Sequence, residues 1–287
     1  MKIQDGLNYL RATKQELRYQ LRDWWRMAFC RASYQQVINE KEIRIVGLKR
    51  SGNHALINWM RSQHCGEVWH LNNIRPHQNP YRNLYSHYPK PRLAREAWGD
   101  FVHKDCLIYS YEDYTFEQIS QALVEKKHDL YLGKSAARYD VLIIRDPFNL
   151  IASRFKKDMV KIKFNNCNLV DLWIAYAREY LGETNNLSNQ KVCINYNRWF
   201  QDIDYRQQLA KQLDFTFSDA GINNVKQEGG GSSFDGQLMD GKANQMQTLS
   251  RWKHFADNQE YLRLVNNEQL RYYSEKIFGE MNINPKL

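Results

Sequence analysis

Two short basic motifs in this sequence have residue types suited to binding anions. In the first, GLKRSGNHAL at residues 47–56, Gly47 and Gly52 have the spacing of a Walker A loop, but Asn53 and His54 stand where Lys and Ser/Thr belong. The basic residues lie inside the loop instead. A loop of this kind offers backbone N–H groups and the positive end of a helix dipole to a phosphate or sulfate, without requiring a metal.

The second motif is RDPFNLIAS at residues 145–153. Arg145 is expected at the carboxyl end of a parallel strand, and Ser153 two turns into the next helix. Ligands of open α/β sheets bind outside the carboxyl ends of the strands. We therefore expect Arg145 and Ser153 to close on a second anion near the first loop. Taken separately, each motif is also compatible with a simple turn.

The segments around these motifs alternate between strands and helices, which predicts an α/β domain with a mainly parallel sheet. Strands are predicted at 42–47, 106–113 and 139–147, and a fourth within 191–199. Helices are predicted at 53–62, 115–126, 148–159, 169–182 and 205–215. Residues 66–100 are predicted to form a long excursion from the sheet, that is, a loop without regular secondary structure. They are rich in Asn, His, Pro, Tyr and Arg.

Composition limits the class of protein. The 287 residues include 43% hydrophobic and 25% charged residues, as in ordinary globular enzymes, and carry a net charge of +9. The surplus suggests an anionic ligand, a nucleic acid or an acidic membrane surface, or simply a basic surface. Nucleic acid is not expected, because the basic residues are dispersed and no RNP, zinc-finger or basic-zipper signature occurs. The five scattered cysteines indicate neither a disulfide framework nor a zinc site.

The amino-terminal segment, residues 1–40, is predicted to contain one basic amphipathic helix at 8–31. Its apolar side chains lie on or near one face: Leu10, Leu17, Leu21, Trp24, Trp25 and Phe29. Packing of this face on the domain or on a partner subunit is favoured, and contact with a membrane surface is the alternative. No transmembrane or signal segment is predicted, so a cytoplasmic location is expected.

The remaining residues, 41–287, are predicted to form the main domain. Residues 228–244, EGGGSSFDGQLMDGKAN, are rich in Gly, Ser and Asp and show no periodicity. They are predicted to be a flexible loop. A mobile flap over the active site is favoured over a linker, because few residues follow this segment.

Taken together, the motifs resemble those of the PAPS-dependent sulfotransferases. GLKRSGNHAL is similar to that family's 5′-phosphosulfate loop, in which Lys or Arg precedes a Ser-Gly or Gly-Gly pair and Thr. IIRDPFNLIASRF is similar to its 3′-phosphate motif, with Arg and Ser eight residues apart. VCINYNRWFQDIDYRQQLAKQLDF and the Gly-rich loop followed by RWKHF are looser matches, so the resemblance spans residues 42–280.

The resemblance implies a P-loop-like three-layer fold with a central, mainly parallel sheet flanked by helices. It also implies a reaction: transfer of a sulfuryl group from 3′-phosphoadenosine-5′-phosphosulfate (PAPS) to a hydroxyl or amine, with 3′,5′-ADP as product and no metal. Arg50 is then assigned to the bridging oxygen of the leaving phosphate, with Lys49 as its neighbour and alternative.

Cofactor contacts follow from the same resemblance. The 5′-phosphosulfate is assigned to Ser51, Gly52, Asn53 and His54, although the family has Thr where Asn53 and His54 stand. Arg145 and Ser153 are assigned to the 3′-phosphate. The late segment, residues 228–255 from the Gly-rich loop through RWKHF, is expected to add contacts from Ser232, Ser233, Lys242, Arg251 and Trp252. A structural role for Trp252 is equally open.

The acceptor needs a general base, and the family places it at differing positions. Glu112 is predicted at the carboxyl end of the second strand, facing the sulfur site, with Asp113 and His103 as further candidates. A solvated or helix-capping carboxylate is the competing interpretation of Glu112.

Two other functions stay open. A small-molecule kinase with an altered P-loop would lack the Lys-Ser/Thr pair and a Walker B carboxylate. A non-catalytic polyanion-binding protein agrees with the net charge but does not need two anion motifs at matched strand ends. The sequence does not identify the acceptor, although residues 66–100 suit a sugar or an anionic glycan; a lipid or a protein tyrosine is the alternative. Whether the chain forms an oligomer is also open.

Overall fold

The fold is built on one parallel sheet. A computed structural model describes residues 2–30, 36–162, 167–225 and 231–280, with the side chains of residues 2–12 outside that description. Within these residues the strands pair in the order β2-β3-β1-β4-β5, and every pair is parallel. The strands are β1 (Val37–Gly47), β2 (Val68–Leu71), β3 (Lys104–Glu112), β4 (Lys134–Ile144) and β5 (Gln190–Asn195).

Helices connect and cover these strands. In chain order they are α1 (Lys2–Phe29), α2 (Asn53–Ser62), α3 (Pro80–His87), α4 (Pro91–Trp98), α5 (Phe116–Ser120), α6 (Leu123–Lys126), α7 (His128–Leu132), α8 (Pro147–Phe155), α9 (Leu169–Tyr180), α10 (Tyr196–Gln201), α11 (Ile203–Gln212), α12 (Gln259–Val265) and α13 (Glu268–Phe278). Short 3₁₀ helices cover Ala243–Gln245 and Arg251–Phe255.

Alternating strand residues divide the core between the two faces of the sheet. Ile43 and Ile45 of β1 belong to one buried cluster, together with side chains of α2 and α11. Val46 belongs to the other, together with side chains of α8 and α9. Because successive residues of a strand point to opposite faces, a central strand such as β1 supplies buried side chains to both layers, and its buried charges Glu42 and Arg44 need partners on their face. The predicted three-layer α/β fold is confirmed.

The excursion predicted at 66–100 has regular structure, so that prediction is wrong. It contains the edge strand β2 and helices α3 and α4. Asn79 Oδ1 accepts the N–H groups of Tyr81 and Arg82 at 3.0 and 3.2 Å, which caps α3. Pro80 and Pro91 take the first helical positions, where a missing N–H costs nothing.

The second motif begins its helix earlier than predicted. β4 ends at Ile144 rather than at 147, and Pro147 is the first residue of α8. Asp146 is the N-cap, and its Oδ1 accepts the Asn149 N–H at 2.8 Å. A proline cannot donate to a sheet ladder but fits the first turn of a helix, so the strand stops before the R-D-P sequence.

α1 packs on the rest of the domain through a face that includes charged residues. The rings of Tyr19 and Trp98 lie 4.8 Å apart. Buried Asp23 accepts from Arg82 Nη1 at 2.8 Å. Buried Arg26 donates to a backbone carbonyl of α7 at 2.9 Å. These contacts anchor the carboxyl-terminal half of α1 to α3, α4 and α7.

The predicted apolar face of α1 points the other way. We call its described members the outer stripe; they are exposed, and they are Leu17, Leu21, Trp24, Trp25 and Phe29. The side chain of Leu10 lies outside the described residues. The expected packing of this face on the domain is therefore wrong, and its packing on a partner subunit stays a prediction. No helix in the described part of the chain is both long enough and apolar enough to cross a bilayer.

A network of buried charges lies on one face of the sheet, around the middle of β1 and β4. Arg44 forms two hydrogen bonds of 2.8 Å with the carboxylate of Asp140. The Glu42 carboxylate lies 2.7 Å from His128 Nε2 and 3.0 Å from Arg138 Nε. Burial disfavours charge on His128, but Glu42 and a hydrogen bond to Asp129 outweigh it and raise the pKa of His128 to about 9.

The raised pKa of His128 makes stability depend on pH. Its folded-state pKa exceeds the unfolded value near 6.5, so its protonated form contributes stability in full below about pH 6.5, and this is lost as pH rises through about 9. We expect His128→Gln to lower the free energy of unfolding by roughly 3 kcal/mol at about pH 6, because Glu42 loses a buried charged partner. Urea denaturation at about pH 9.5 should show a smaller difference between variant and wild type in the free energy of unfolding than at about pH 6.

The exposed His103 provides a matched control. It lies 2.9 Å from Glu40, and both side chains are more than half exposed. His103→Gln should therefore change stability by less than about 1 kcal/mol. An effect of His128→Gln that is equally large at both pH values would contradict the electrostatic explanation.

Candidate active site

The first anion motif forms the turn between β1 and α2. Arg50 and Gly52 have positive φ angles of 74° and 92°, and the Ser51 N–H donates to the Leu48 carbonyl at 3.1 Å. Glycine is required at position 52, because a Cβ there would lie 2.1 Å from the ring of Tyr196.

The first turn of α2 has no side-chain cap. Gly52 occupies the N-cap position and supplies no side-chain acceptor. Asn53, His54 and Ala55 line a cleft above the turn. The first N–H groups of a helix have no intrahelical carbonyl partner, and together with the helix dipole they favour an anion.

Asp113 and Arg154 fix the backbone of this turn. Asp113 Oδ1 accepts the Lys49 N–H at 3.0 Å. The Asp113 carboxylate also accepts hydrogen bonds from both terminal nitrogens of Arg154, at 2.7 and 3.1 Å. Arg154 in turn donates to the Lys49 carbonyl at 3.2 Å. Both side chains are buried, so a bidentate, charge-assisted pair holds the turn in one conformation.

The second motif meets the first at the guanidinium of Arg145. Arg145 follows β4 and donates to the Arg50 carbonyl at 3.0 Å and to Ser153 Oγ at 3.3 Å. Its other terminal nitrogen donates to the Thr248 carbonyl. Arg251 donates to the same Ser153 Oγ at 3.2 Å. The structure thus brings Arg145 and Ser153 together and adds Arg251 from the late segment.

The cations here have little compensating negative charge. Arg251 lies 3.5 Å from Asp235, and Nε of both Arg145 and Arg251 has no hydrogen-bond partner among the described atoms. Burial, followed by repulsion from Arg145, lowers the pKa of Arg251 to about 10. The same two effects lower the pKa of Arg50. Buried cations that repel one another and have little compensating negative charge are typical of an anion-binding site.

Aromatic rings from α10 form one wall of the cleft, whose volume is about 280 Å³. The ring of Tyr196 stacks on that of Phe200, with centroids 6.0 Å apart and an interplanar angle of 21°. The Arg145 guanidinium carbon lies 5.0 Å from the Tyr196 centroid. Ile222 and Val225 extend the apolar lining. A flat apolar wall beside clustered cations suits an aromatic base that carries phosphate groups.

Glu112 brings a carboxylate to the cleft. It ends β3, and its Oε1 accepts Asn53 Nδ2 at 2.8 Å. It is the one carboxylate among the cleft-lining residues that the structure describes. The Asp113 carboxylate instead accepts the Lys49 N–H and pairs with Arg154. His103 precedes β3, at the opposite end of the sheet, so of the three candidate bases Glu112 alone lines the cleft.

Most of the predicted loop and phosphate residues line the cleft. They are Lys49, Arg50, Gly52, Asn53, His54, Arg145, Ser232 and Arg251. The side chain of Asn53 is engaged elsewhere, however. Its Nδ2 donates to the Leu48 carbonyl at 3.1 Å as well as to Glu112, so it supports the turn.

Other predicted residues lie behind the lining or away from it. Ser51 and Ser233 are buried, and their hydroxyls have no partner among the described atoms. Trp252 packs against the core, and its backbone N–H donates to Asn149 Oδ1 at 3.2 Å. Lys242 is exposed. Residues 228–230 of the predicted flap lie outside the described residues.

Tyr196 and Arg154 were missed in the sequence. Tyr196 directly follows β5, so the strand-end rule that identified Arg145 applies to it equally. Arg154 has no comparable signal, because its importance depends on Asp113, which comes from a different strand end.

Comparison with known proteins agrees with this architecture. No protein-family model and no curated protein sequence matches the chain. By structure it is similar to the sulfotransferase domain of the Synechococcus PCC 7002 olefin synthase, with a TM-score of 0.54, 12% identity, and coverage of 86% of this chain and 97% of that domain. The chain has a sulfotransferase fold.

Two further sulfotransferase structures match with lower TM-scores. The mouse sulfotransferase SULT7A1 complexed with PAP gives 0.46 at 12% identity, covering 85% of this chain and 92% of that chain. The sulfotransferase domain from the curacin biosynthetic pathway gives 0.40 at 14% identity, covering 78% and 95%. In this sulfotransferase fold, the cleft described above lies at the carboxyl edge of the sheet.

The cation cluster predicts an unusual effect on stability. The folded-state pKa of Arg251 is below its unfolded value, so its charge destabilises the folded protein at neutral pH, and this cost is relieved as pH rises through about 10. Arg251→Gln should therefore leave the ligand-free protein as stable as wild type, or stabilise it by up to about 2 kcal/mol. Urea denaturation without phosphate or sulfate measures this.

Arg206 is the matched control, because it is buried but fully paired. It forms hydrogen bonds of 2.7 and 2.8 Å with the Asp219 carboxylate. Arg206→Gln should cost roughly 3–5 kcal/mol. If Arg251→Gln were as costly as Arg206→Gln, repulsion between the cleft cations would not be significant.

Proposed function

We propose that this protein is a sulfotransferase that moves a sulfuryl group from PAPS to a hydroxyl or amine. The observation that carries the proposal is the joining of two cationic sites in one cleft. One is the uncapped start of α2 with Arg50, and the other is the cluster of Arg145, Ser153 and Arg251. They adjoin directly, since Arg145 donates to the Arg50 carbonyl at 3.0 Å. PAPS carries anionic groups at both the 5′ and 3′ positions of one nucleoside, which suits such a pair.

We assign each part of the donor to a part of the cleft. The 5′-phosphosulfate lies against the first turn of α2, and the 3′-phosphate lies against Arg145 and Arg251, which the buried Ser153 hydroxyl positions by accepting from both. The adenine lies along Tyr196 and Phe200, whose stacked rings offer an apolar surface. The ionised 3′-phosphate neutralises buried cations whose mutual repulsion otherwise lowers the free energy of unfolding.

The reaction requires positive charge where negative charge develops. The acceptor oxygen or nitrogen attacks sulfur and forms the new bond to it. The bond from sulfur to the 5′-phosphate oxygen breaks, and its electron pair leaves with 3′,5′-ADP. Arg50, Lys49 and the N–H groups of α2 stabilise that charge, and Glu112 takes the acceptor proton.

The acceptor end of the cleft is bounded by the segment after β2. Glu112 N–H donates to Asn73 Oδ1 at 3.3 Å, and Asn72 lines the cleft beside it. An amide next to the proposed base can hydrogen-bond neighbouring hydroxyls of the same acceptor. This arrangement suits a hydroxyl-rich acceptor such as a carbohydrate.

Nucleotide binding tests the donor assignment. By titration calorimetry, we expect 3′,5′-ADP to bind far more tightly than AMP, because AMP cannot fill the Arg145 site. Arg145→Ala should cost about 1.5–3 kcal/mol of binding free energy, and the milder Ser153→Ala about 1 kcal/mol. Arg198, which is largely exposed and paired with Asp202, provides the control, and Arg198→Ala should leave the affinity unchanged.

Two outcomes of this titration would reject the proposal. If 3′,5′-ADP binds no better than AMP, the second cationic site is not a 3′-phosphate site. If ATP with magnesium binds better than 3′,5′-ADP, the kinase alternative takes precedence.

Glu112 is tested by removing its basicity without changing its shape. In Glu112→Gln, the side-chain oxygen still accepts from Asn53, so 3′,5′-ADP should bind as in wild type. The rate of sulfuryl transfer should fall by about 10²–10⁴-fold. Radiolabelled PAPS with a panel of carbohydrate, phenol and amine acceptors measures this transfer. A Glu112→Gln enzyme with the wild-type rate would exclude Glu112 as the base.

A further inference from the structure

The outer stripe of α1 presents large apolar side chains to solvent. Their exposed fractions are 55% for Leu17, 67% for Leu21, 59% for Trp24, 43% for Trp25 and 67% for Phe29. Surface residues of this size usually occur singly, and a contiguous group marks an interaction surface. These five residues recur at spacings of three, four and one along a single helix, so they share one side of it.

The stripe is held on a fixed element. The opposite side of α1 is anchored through Tyr19, Asp23 and Arg26, including the buried contact of Asp23 with Arg82 at 2.8 Å. A helix that needed its apolar side for folding would turn that side toward the domain. Here the buried side includes charged residues, and the apolar side is left for another contact.

The charges on α1 are divided between the two sides. Lys14 and Arg18 are exposed, and with Leu21 and Trp25 they follow the i, i+4, i+7, i+11 pattern of one helix side. The acidic residues of 13–30 are Glu16 and Asp23. Because Glu16 lies seven residues before buried Asp23, it shares the side that faces the domain. The outer side is therefore both apolar and positively charged.

We propose that the outer stripe of α1 binds the surface of a membrane that contains acidic lipids. Helices that lie in a lipid interface combine Trp, Phe and Leu with flanking Lys and Arg. The net charge of +9 favours the same surface. Interface cores between proteins are instead depleted of lysine, so Lys14 next to the stripe favours lipid over a protein partner. The helix lies along the surface, since it is not apolar enough to cross a bilayer.

Vesicle binding of the full chain tests this proposal. Sedimentation with vesicles of phosphatidylcholine alone should leave the protein in solution, whereas vesicles with added phosphatidylglycerol should bind it. The binding should weaken with salt, because part of it is electrostatic. The double variant Leu21→Gln/Trp24→Gln should bind at least roughly tenfold more weakly. Lys14→Glu/Arg18→Glu should lose the preference for the acidic lipid.

Controls distinguish the loss of vesicle binding from unfolding and from non-specific adsorption of exposed apolar surface. Ile203 of α11 is 54% exposed, so Ile203→Gln removes comparable exposed apolar surface outside α1 and should bind vesicles as wild type does. Equal melting temperatures for all variants would show that the fold is retained, and 3′,5′-ADP binding should be the same in each.

Either of two results would overturn the proposal. The first is wild-type protein that ignores acidic vesicles, or a double variant that binds them as tightly as wild type. The second is a wild-type dimer in light scattering that the double variant converts to a monomer, without vesicle binding by either. The stripe would then be a self-association surface.

Discussion

The guanidinium of Arg145 is the contact on which the cleft depends. It links the turn after β1, through the Arg50 carbonyl, to α8, through Ser153, and to the late segment, through the Thr248 carbonyl. Its planar face also lies against Tyr196, which follows β5. Four segments far apart in sequence are thus brought together by one side chain at the end of one strand. A lysine could not replace it, because only the planar fork of arginine reaches several acceptors in fixed directions.

This arrangement concentrates positive charge where the fold gains little from it. Two other buried arginines have close carboxylate partners, since Arg44 pairs with Asp140 and Arg154 pairs with Asp113. In the cleft, Arg251 has a carboxylate at 3.5 Å and its pKa is lowered to about 10. The cleft cation Arg251 therefore differs from Arg44 and Arg154 in how poorly its charge is compensated. Sites of function commonly retain such unfavourable interactions.

The sequence predicted the parts of the fold whose pattern depends on local burial. The carboxyl-terminal parts of β1 and β4 are buried and rich in Ile, Val and Leu. The motifs after them fall at the carboxyl edge, as strand topology requires. The approach of Arg145 to Ser153 followed from spacing along one strand and helix. Arg154 joins the site through Asp113, a contact between distant segments that no local pattern encodes. Arg251 was expected from the resemblance, and Tyr196 stands at a strand end that the same rule covers.

The two larger errors have different physical causes. Residues 66–100 are polar on average, so their helices show weak periodicity, although Asn79 and the prolines at 80 and 91 are helix-start signals. In α1 the apolar face was correctly identified but its direction was not. Periodicity shows which side of a helix is apolar, whereas docking depends on partners, here Arg82 for Asp23, that lie far away in the sequence.

The contact between Gly52 and Tyr196 has a consequence for how this cleft can diversify. The ring occupies the space that a Cβ at position 52 would need. A residue with a side chain at 52 would have to displace the Tyr196 ring and would also adopt a φ near 92° that favours glycine, so Gly52 is constrained twice. Tyr196 can be replaced by a smaller residue while Gly52 stays, whereas Gly52 cannot be replaced unless the ring moves. The aromatic wall can therefore change more freely than the turn after β1.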